Sequence, residues 1–339
     1  MTRSSLIALV AAILLGLFIA GLSVFEQIAF GWHFAREEVP LYSEWHWLRL
    51  AINALLCCTL VAALWRSGLR VEPVSAGARK LSWAIAALSV VAAGLLLSDP
   101  LTYAKVGAED GAIEWLSALL LLSASVFMAL SWRRRSRGSE QWRRLHLVGS
   151  AGFCVLFFLM AGEEVSWLQR QLGFDAPEAI AQRNWQGEFN LHNFHTDITE
   201  LTLYAGTGIF LLLLPLLRES APGRWNLFRP VRSFMPDRTV AALSAPMLIF
   251  TYSHWTLLPV QAAFFLGLGT CLAFAASAAA RTEKILWCAL TLWAFTGQVL
   301  HLLWGDTMVM PYDSTEYREL FIAIGLAAFG WQQWRRADA

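Results

Sequence analysis

The sequence predicts an all-α fold: a polytopic transmembrane helix bundle of about ten spans, with a range of eight to ten and both termini on the inner side. Three observations carry that prediction. The chain of 339 residues is 57% hydrophobic and only 15% charged, with a mean hydropathy of +0.50, too apolar for a water-soluble globule of this size. Apolar runs of about 20 residues, enough to cross a roughly 30 Å hydrocarbon layer as helix, recur from end to end. Basic residues gather in alternate connections, as the positive-inside rule requires of a multi-pass chain.

The first run, 6–25, follows Arg3 and exceeds the ~7–15-residue core of a cleavable signal, so it reads as an anchor. The second, 48–64, opens after Trp45 and Trp47 and closes on Arg66; the third, 81–98, opens after Arg79 and Lys80 and closes on Asp99. The fourth, 113–132, closes on Arg133, Arg134 and Arg135, and the fifth, 145–162, ends on Glu163 and Glu164. The long outer loop 168–199 follows, in which Asp175 and Glu178 form a capping-box start for a short interfacial helix. The sixth run, 201–217, closes on Arg218. The seventh and eighth, 240–257 and 260–280, are separated by a link short enough for a helical hairpin or a re-entrant bend. The ninth, 285–304, opens after Lys284. The tenth, 320–334, closes on Arg335 and Arg336, with Asp313 or Ser314 as its cap and acids in its first turn. All ten belong to one domain, 1–339.

With the N-terminus inside, the outer side keeps only Arg36, Arg49, Lys105, Arg170, Arg183 and Arg318 of the 26 basic residues. Acids run the other way: of 25, only Glu72, Glu140, Glu219, Asp237, Glu283 and Asp338 fall inside. Six of the seven histidines, all but His146, join the outer acids. Acids contribute little to orientation, so this asymmetry points to a site at the outer ends of the spans. Most of the 17 tryptophans sit near one interface or the other, where amphipathic rings anchor among headgroups. Heavy use of arginine over lysine suggests a bacterial genome, hence an inner (cytoplasmic) membrane with the acidic face toward the periplasm. Cys57, Cys58, Cys154, Cys271 and Cys288 all lie in apolar runs, which indicates neither a disulfide frame nor a thiolate metal site. No nucleic-acid signature is visible, and the partners expected are the lipid bilayer and a lipid or lipid-linked small molecule.

Three outer segments carry candidate chemistry. In the segment before the fourth run, Asp110 and Glu114 are four apart and share one helix face; helix capping explains Asp110 well and the deeper Glu114 less well. In the next, Glu163 and Glu164 end an apolar run, where the helix dipole disfavours acids, and a charge in lipid is costly. Adjacent residues project about 100° apart, so one glutamate faces the bundle while the other meets water or Arg170. This pair is the first choice for a reacting carboxylate. The third segment is the loop itself. Asn184, Gln186, Glu188, Asn190 and Asn193 are placed to read a polar headgroup, with Trp167 and Gln169 beside them. His192 and His195 are three apart and, with Glu188 or Asp197, offer nitrogen and oxygen ligands for a divalent metal such as zinc; a hydrogen-bonded loop without metal fits the same residues. His254 and His301, near the outer ends of their runs, extend the ring and the ligand set.

Three motifs, E-D-G-x-x-E-W, G-E-E-V-S-W-x-Q-R and N-x-Q-G-E-x-N-L-H-N, span roughly residues 108–194. Together they resemble a family of multi-pass bacterial membrane proteins of unknown function, which implies the architecture alone. Glu163-Glu164 followed by Arg170 is similar to the paired-glutamate motif of CAAX-type intramembrane proteases, whose arginine spacing differs. The outer histidines and acids are similar in chemistry to alkaline ceramidase-like hydrolases, whose H-x-x-x-H pair this chain lacks. The resulting expectation is a membrane-embedded hydrolase or transferase with an outer-face Glu/His site, with or without a metal. A proton- or cation-coupled transporter is the competing class, against which the apolar inner halves of the runs speak, Asn53 being the lone exception. A non-catalytic envelope assembly or sensor protein is the third.

Overall fold

The computed structural model describes residues 3–36, 38–69, 72–108, 111–136, 142–178, 189–190, 195–220 and 230–337. Among them the chain is helical, with one isolated antiparallel bridge, Leu69 to Ser220. The helices are α1 (Arg3–Phe30), α2 (Glu44–Arg66), α3 (Ala76–Ser98), α4 (Pro100–Val106), α5 (Ala112–Arg135), α6 (Arg143–Glu164), α7 (Gln169–Leu172), α8 (Thr196–Gly208), α9 (Leu214–Glu219), α10 (Arg238–Ser244), α11 (Leu258–Ser277), α12 (Arg281–Trp304) and α13 (Thr315–Arg336). A π-helical turn, Ile209–Leu213, joins α8 to α9. Its wider winding sits directly before Pro215, whose ring and missing N–H a regular helix does not accommodate.

Among the described residues, eight helices are long and apolar enough to cross a membrane: α1, α2, α3, α5, α6, the continuous Thr196–Glu219 rod, α11 and α12. Their apolar outer faces point to a membrane lipid environment. They account for eight of the ten apolar runs; the other two are built differently. The 240–257 run reaches from Arg238, beside Glu219 and Glu283, to His254, beside Glu200, but not as one regular helix. It begins as α10, tightens into a 3-10 turn at Ala245–Leu248 around Pro246, and continues without regular helix to Leu257. Irregular backbone at this depth is tolerated only inside protein, and nearly every residue of the segment is buried. Side chains of other helices take up its backbone groups. Gln298 both accepts from the Thr251 N–H and donates to its carbonyl; Arg49 donates to the Thr256 carbonyl, and Asn53 donates to that of Leu258. Asn53, the isolated polar residue of the second run, thus stitches the broken segment.

The tenth run forms α13, but Arg318, Gln332 and Gln333 are buried on it and its composition is too polar for a free span. It lies enclosed between α5 and α10. Contact with α5 is close: a Cβ built on Gly330 would stand 2.9 Å from the Ala124 carbonyl oxygen and 3.0 Å from its Cα. Gly330→Ala is therefore expected to push the two helices apart and cost about 1–3 kcal/mol. The lipid-facing Gly152, with open space around it, serves as the control. Unfolding in detergent should show a lower midpoint for Gly330→Ala and none of that loss for Gly152→Ala; equal midpoints would contradict this packing.

Antiparallel connections bring the C-terminal ends of α1, α3, α6 and α12 to the N-terminal ends of α2, α5, α8, α11 and α13. This is the acidic end of the bundle. The opposite end gathers arginines: Arg336 pairs with Asp237 at 2.7 Å, and Arg238, 1% exposed, is clamped between Glu219 and Glu283. The halves of the helices toward the arginine end are therefore more polar than the sequence suggests, where Asn53 is the lone exception. Glu219 and Glu283, which read as loop acids, are buried within the protein.

Candidate functional site

The acidic end is organised by the turn that follows α6. Ser166, Trp167 and Leu168 all adopt positive φ, at 44°, 54° and 63°, a conformation costing roughly 1–2 kcal/mol per non-glycine residue. Three in succession turn the chain sharply back over the helix end. Trp167 folds onto Gly162, where a Cβ would come within 2.8 Å of the indole ring, and its Nε1 donates to Glu163 Oε1 at 2.8 Å. Ser166 Oγ accepts from Asn190 Nδ2 at 3.0 Å, and Gln169 accepts from the Phe189 N–H. The G-E-E-V-S-W-x-Q motif is thus a local device: glycine makes room, tryptophan closes on it, and serine and glutamine hold residues 189–190.

Glu163 is engaged by Trp167, while its neighbour Glu164, about 100° further round α6, meets other helices. Carboxylate oxygens of Glu164, Glu316 and Glu319 lie within 4.8 Å of one another. Glu114 faces Glu164 from the first turn of α5, close enough to repel its charge. Glu164 Oε1 is sealed from solvent and accepts no hydrogen bond. Two charges 4.8 Å apart repel by on the order of 3 kcal/mol at an effective dielectric near 20. The first turn of α13 offers its positive dipole end to Glu316 and Glu319, whereas Glu164 sits at the wrong end of its helix. A structural account of the cluster therefore covers two of its three acids and fails for the third.

Around this centre the other groups form a connected chain. The buried Tyr204 hydroxyl donates to Glu319 Oε1 at 2.7 Å. The Arg318 guanidinium, 4% exposed, lies 4.2 Å from the Tyr204 ring centroid. On the ring's other contact, His254 packs edge-on at 4.9 Å. Its Nε2 meets Glu200 Oε2 at 2.8 Å, and its Nδ1 meets Ser253 Oγ at 3.1 Å. Glu114, Glu164, Glu200, Glu316 and Glu319 thus concentrate negative charge around the buried Arg318 guanidinium.

His301 belongs to a separate, closed arrangement. Its Nδ1 lies 2.9 Å from the Gly297 carbonyl and its Nε2 3.4 Å from the Tyr103 hydroxyl. Tyr103 stacks on Tyr317 at 4.3 Å, and the Tyr317 hydroxyl donates to the Tyr103 carbonyl. Both ring nitrogens are engaged in each of His254 and His301, and among the described residues no three-ligand cluster contains a histidine. His195 is exposed at the N-cap of α8. His192, Asp110, Asn184, Gln186, Glu188 and Asn193 lie outside the described residues, as does most of the expected interfacial helix after Glu178.

Two polar loops flank the site. Asp99 caps α4: the Thr102 hydroxyl and N–H both donate to its carboxylate and hold it below the usual range. Asp313 accepts from the Met310 N–H in the turn before α13, and burial raises its carboxyl above the ordinary value. Ser314 occupies the N-cap position, but its hydroxyl makes no capping bond. The segment, expected to serve mainly as a helix cap, also brings acids into the site. Glu316 and Glu319 meet Glu164 across the bundle. The only sequence signal for it was one-sidedness, since the pairing joins residues far apart in the chain.

No protein-family model matches the chain, and comparison with curated proteins and with solved structures finds no match.

Proposed function

We propose that the protein is a membrane-embedded enzyme that works at the acidic end of the bundle on a lipid or lipid-linked substrate, by hydrolysis or group transfer. The observation that carries this reading is Glu164: a carboxylate with one sealed, unpartnered oxygen, held against two others by a strained turn. Strain of this kind and like-charge crowding lower stability and are concentrated where function requires them. The Glu164 group would orient or activate the attacking water or hydroxyl. His254, aligned by Glu200 as a base is aligned by a carboxylate in a catalytic triad, would take the proton. Tyr204 links the two through Glu319. Trp167, Gln169 and Asn190 would border the headgroup, together with Asn184, Gln186, Glu188 and Asn193. We place this end at the periplasmic face of a bacterial inner membrane, because the opposite end holds most of the arginine.

The test is a lipid profile. Cells carrying Glu164→Gln at wild-type protein level should accumulate a lipid or lipid-linked species that wild-type cells consume; identical profiles would end the enzymatic reading. One observation favours transport instead. Glu283, Thr291, Gln298 and His301 form a buried polar stripe along the whole of α12, as a proton relay would. Proton flux through proteoliposomes that Gln298→Leu abolishes would favour that class.

A further inference from the structure

We propose that Glu164, Glu316 and Glu319 form a binding site for a hard divalent cation of the magnesium, manganese or calcium type. Two oxygens bound to one ion lie at most twice the metal–oxygen distance apart, about 4.2 Å for magnesium and about 5 Å for calcium. The three carboxylates present oxygens within 4.8 Å of one another, so one ion reaches all three with little or no movement of the helices. A second observation is independent of that spacing. Glu164 Oε1 is closed off from solvent and lacks a hydrogen-bond donor, although buried acceptors are otherwise paired in folded proteins. It lies at a helix C-terminus, where the dipole supplies no positive end. A cation is the partner its position calls for.

The donor set decides the ion class. All three ligands are carboxylates, which suit magnesium, calcium and manganese; zinc favours nitrogen and sulfur donors, and here both His254 nitrogens are already engaged. Tyr204 donates to Glu319 Oε1, an outer hydrogen bond of the kind that orients a ligating carboxylate. Glu114, facing Glu164, adds charge from the side. Arg318 and His254 lie on the Tyr204 side of the cluster. Two helices, α6 and α13, supply the ligands, so bound cation would also tie them together at this end.

Cation binding does not depend on the enzymatic reading, and it is measured without activity. Purified protein in detergent is titrated with Mn2+ alone and read by electron paramagnetic resonance. One Mn2+ per chain is expected, displaced by excess Mg2+ or Ca2+, with Kd raised at least tenfold by Glu164→Gln and by Glu319→Gln. Asp306→Asn, which removes an exposed acid at the same end, should leave Kd unchanged. Should Glu164→Gln fail to fold, Glu316→Gln and Glu319→Gln decide. Failure of the wild type to bind, binding that survives the glutamate substitutions, or an equal loss with Asp306→Asn would each overturn the site and indicate carboxyls that share protons or surface adsorption. A lipid profile altered by Glu164→Gln without Mn2+ binding would retain the enzyme and remove the metal.

Discussion

Arg238→Ala is expected to cost about 3–5 kcal/mol of stability, the penalty for breaking a buried charge network from one side. Arg238 presents a fork to Glu219, with Nη2 at 2.6 Å from Oε2 and Nε at 3.1 Å from Oε1, and its Nη1 reaches Glu283 Oε1 at 3.1 Å. Its guanidinium also covers the Phe274 ring at 4.3 Å, and Trp287 donates a further hydrogen bond to Glu283 at 3.3 Å. Glu219 and Glu283 are 4% and 1% exposed. Alanine therefore leaves two carboxylates facing each other away from water, with a hole where the guanidinium packed. The check is a comparison of unfolding midpoints in detergent. Arg238→Ala should fall furthest, while Arg238→Met combined with Glu219→Gln and Glu283→Gln should recover most of the loss, because neutral groups of similar size need no counter-charge. A single variant within about 1 kcal/mol of wild type would mean that the triad does not hold this end together.

The triad shows where sequence reading stops. Arg238, Glu219 and Glu283 look like ordinary charges flanking spans, and the positive-inside rule accounts for the arginine completely, so nothing prompts a search for its partners. Apolar runs were legible because length and composition alone make a span. The same criterion misses the form of 240–257, since apolarity cannot distinguish a regular helix facing lipid from an irregular segment enclosed in protein. Pro246 was the available signal, and Gln298, Asn53 and Arg49 supply the backbone partners that make the broken segment possible. At the acidic end, Glu163 and Glu164 stood out because no local rule favours acids at a helix C-terminus. Glu316 and Glu319 did not stand out, because a local rule does favour acids at a helix start. Their proximity to Glu164 is a long-range fact that no local pattern encodes.

Glu164→Gln is expected to reduce function in cells at least 100-fold, within the ~10²–10⁴ range of an acid–base group, while raising rather than lowering stability. The two effects arise from one cause. Glutamine keeps the shape and the packing of the side chain against α13 but removes one of three charges that repel one another. With divalent cations chelated, relief of that repulsion should add about 1 kcal/mol to the unfolding free energy, the usual size of a gain when a functional compromise is removed. Glu163→Gln is the comparison within the same helix turn. Its carboxylate accepts from Trp167, a bond that an amide oxygen also accepts, so function should change by less than about tenfold. Tyr204→Phe tests the link on the other side: loss of the bond to Glu319 leaves all the carboxylates in place, and about 0.5–1.5 kcal/mol of stability should go with the hydrogen bond. Function assayed by complementation and unfolding assayed in detergent together separate the roles. A Glu164→Gln protein that loses stability and function in parallel would make Glu164 a structural residue; one that gains stability as it loses function marks the carboxylate as kept for its chemistry, at a place where the fold alone would not have put it.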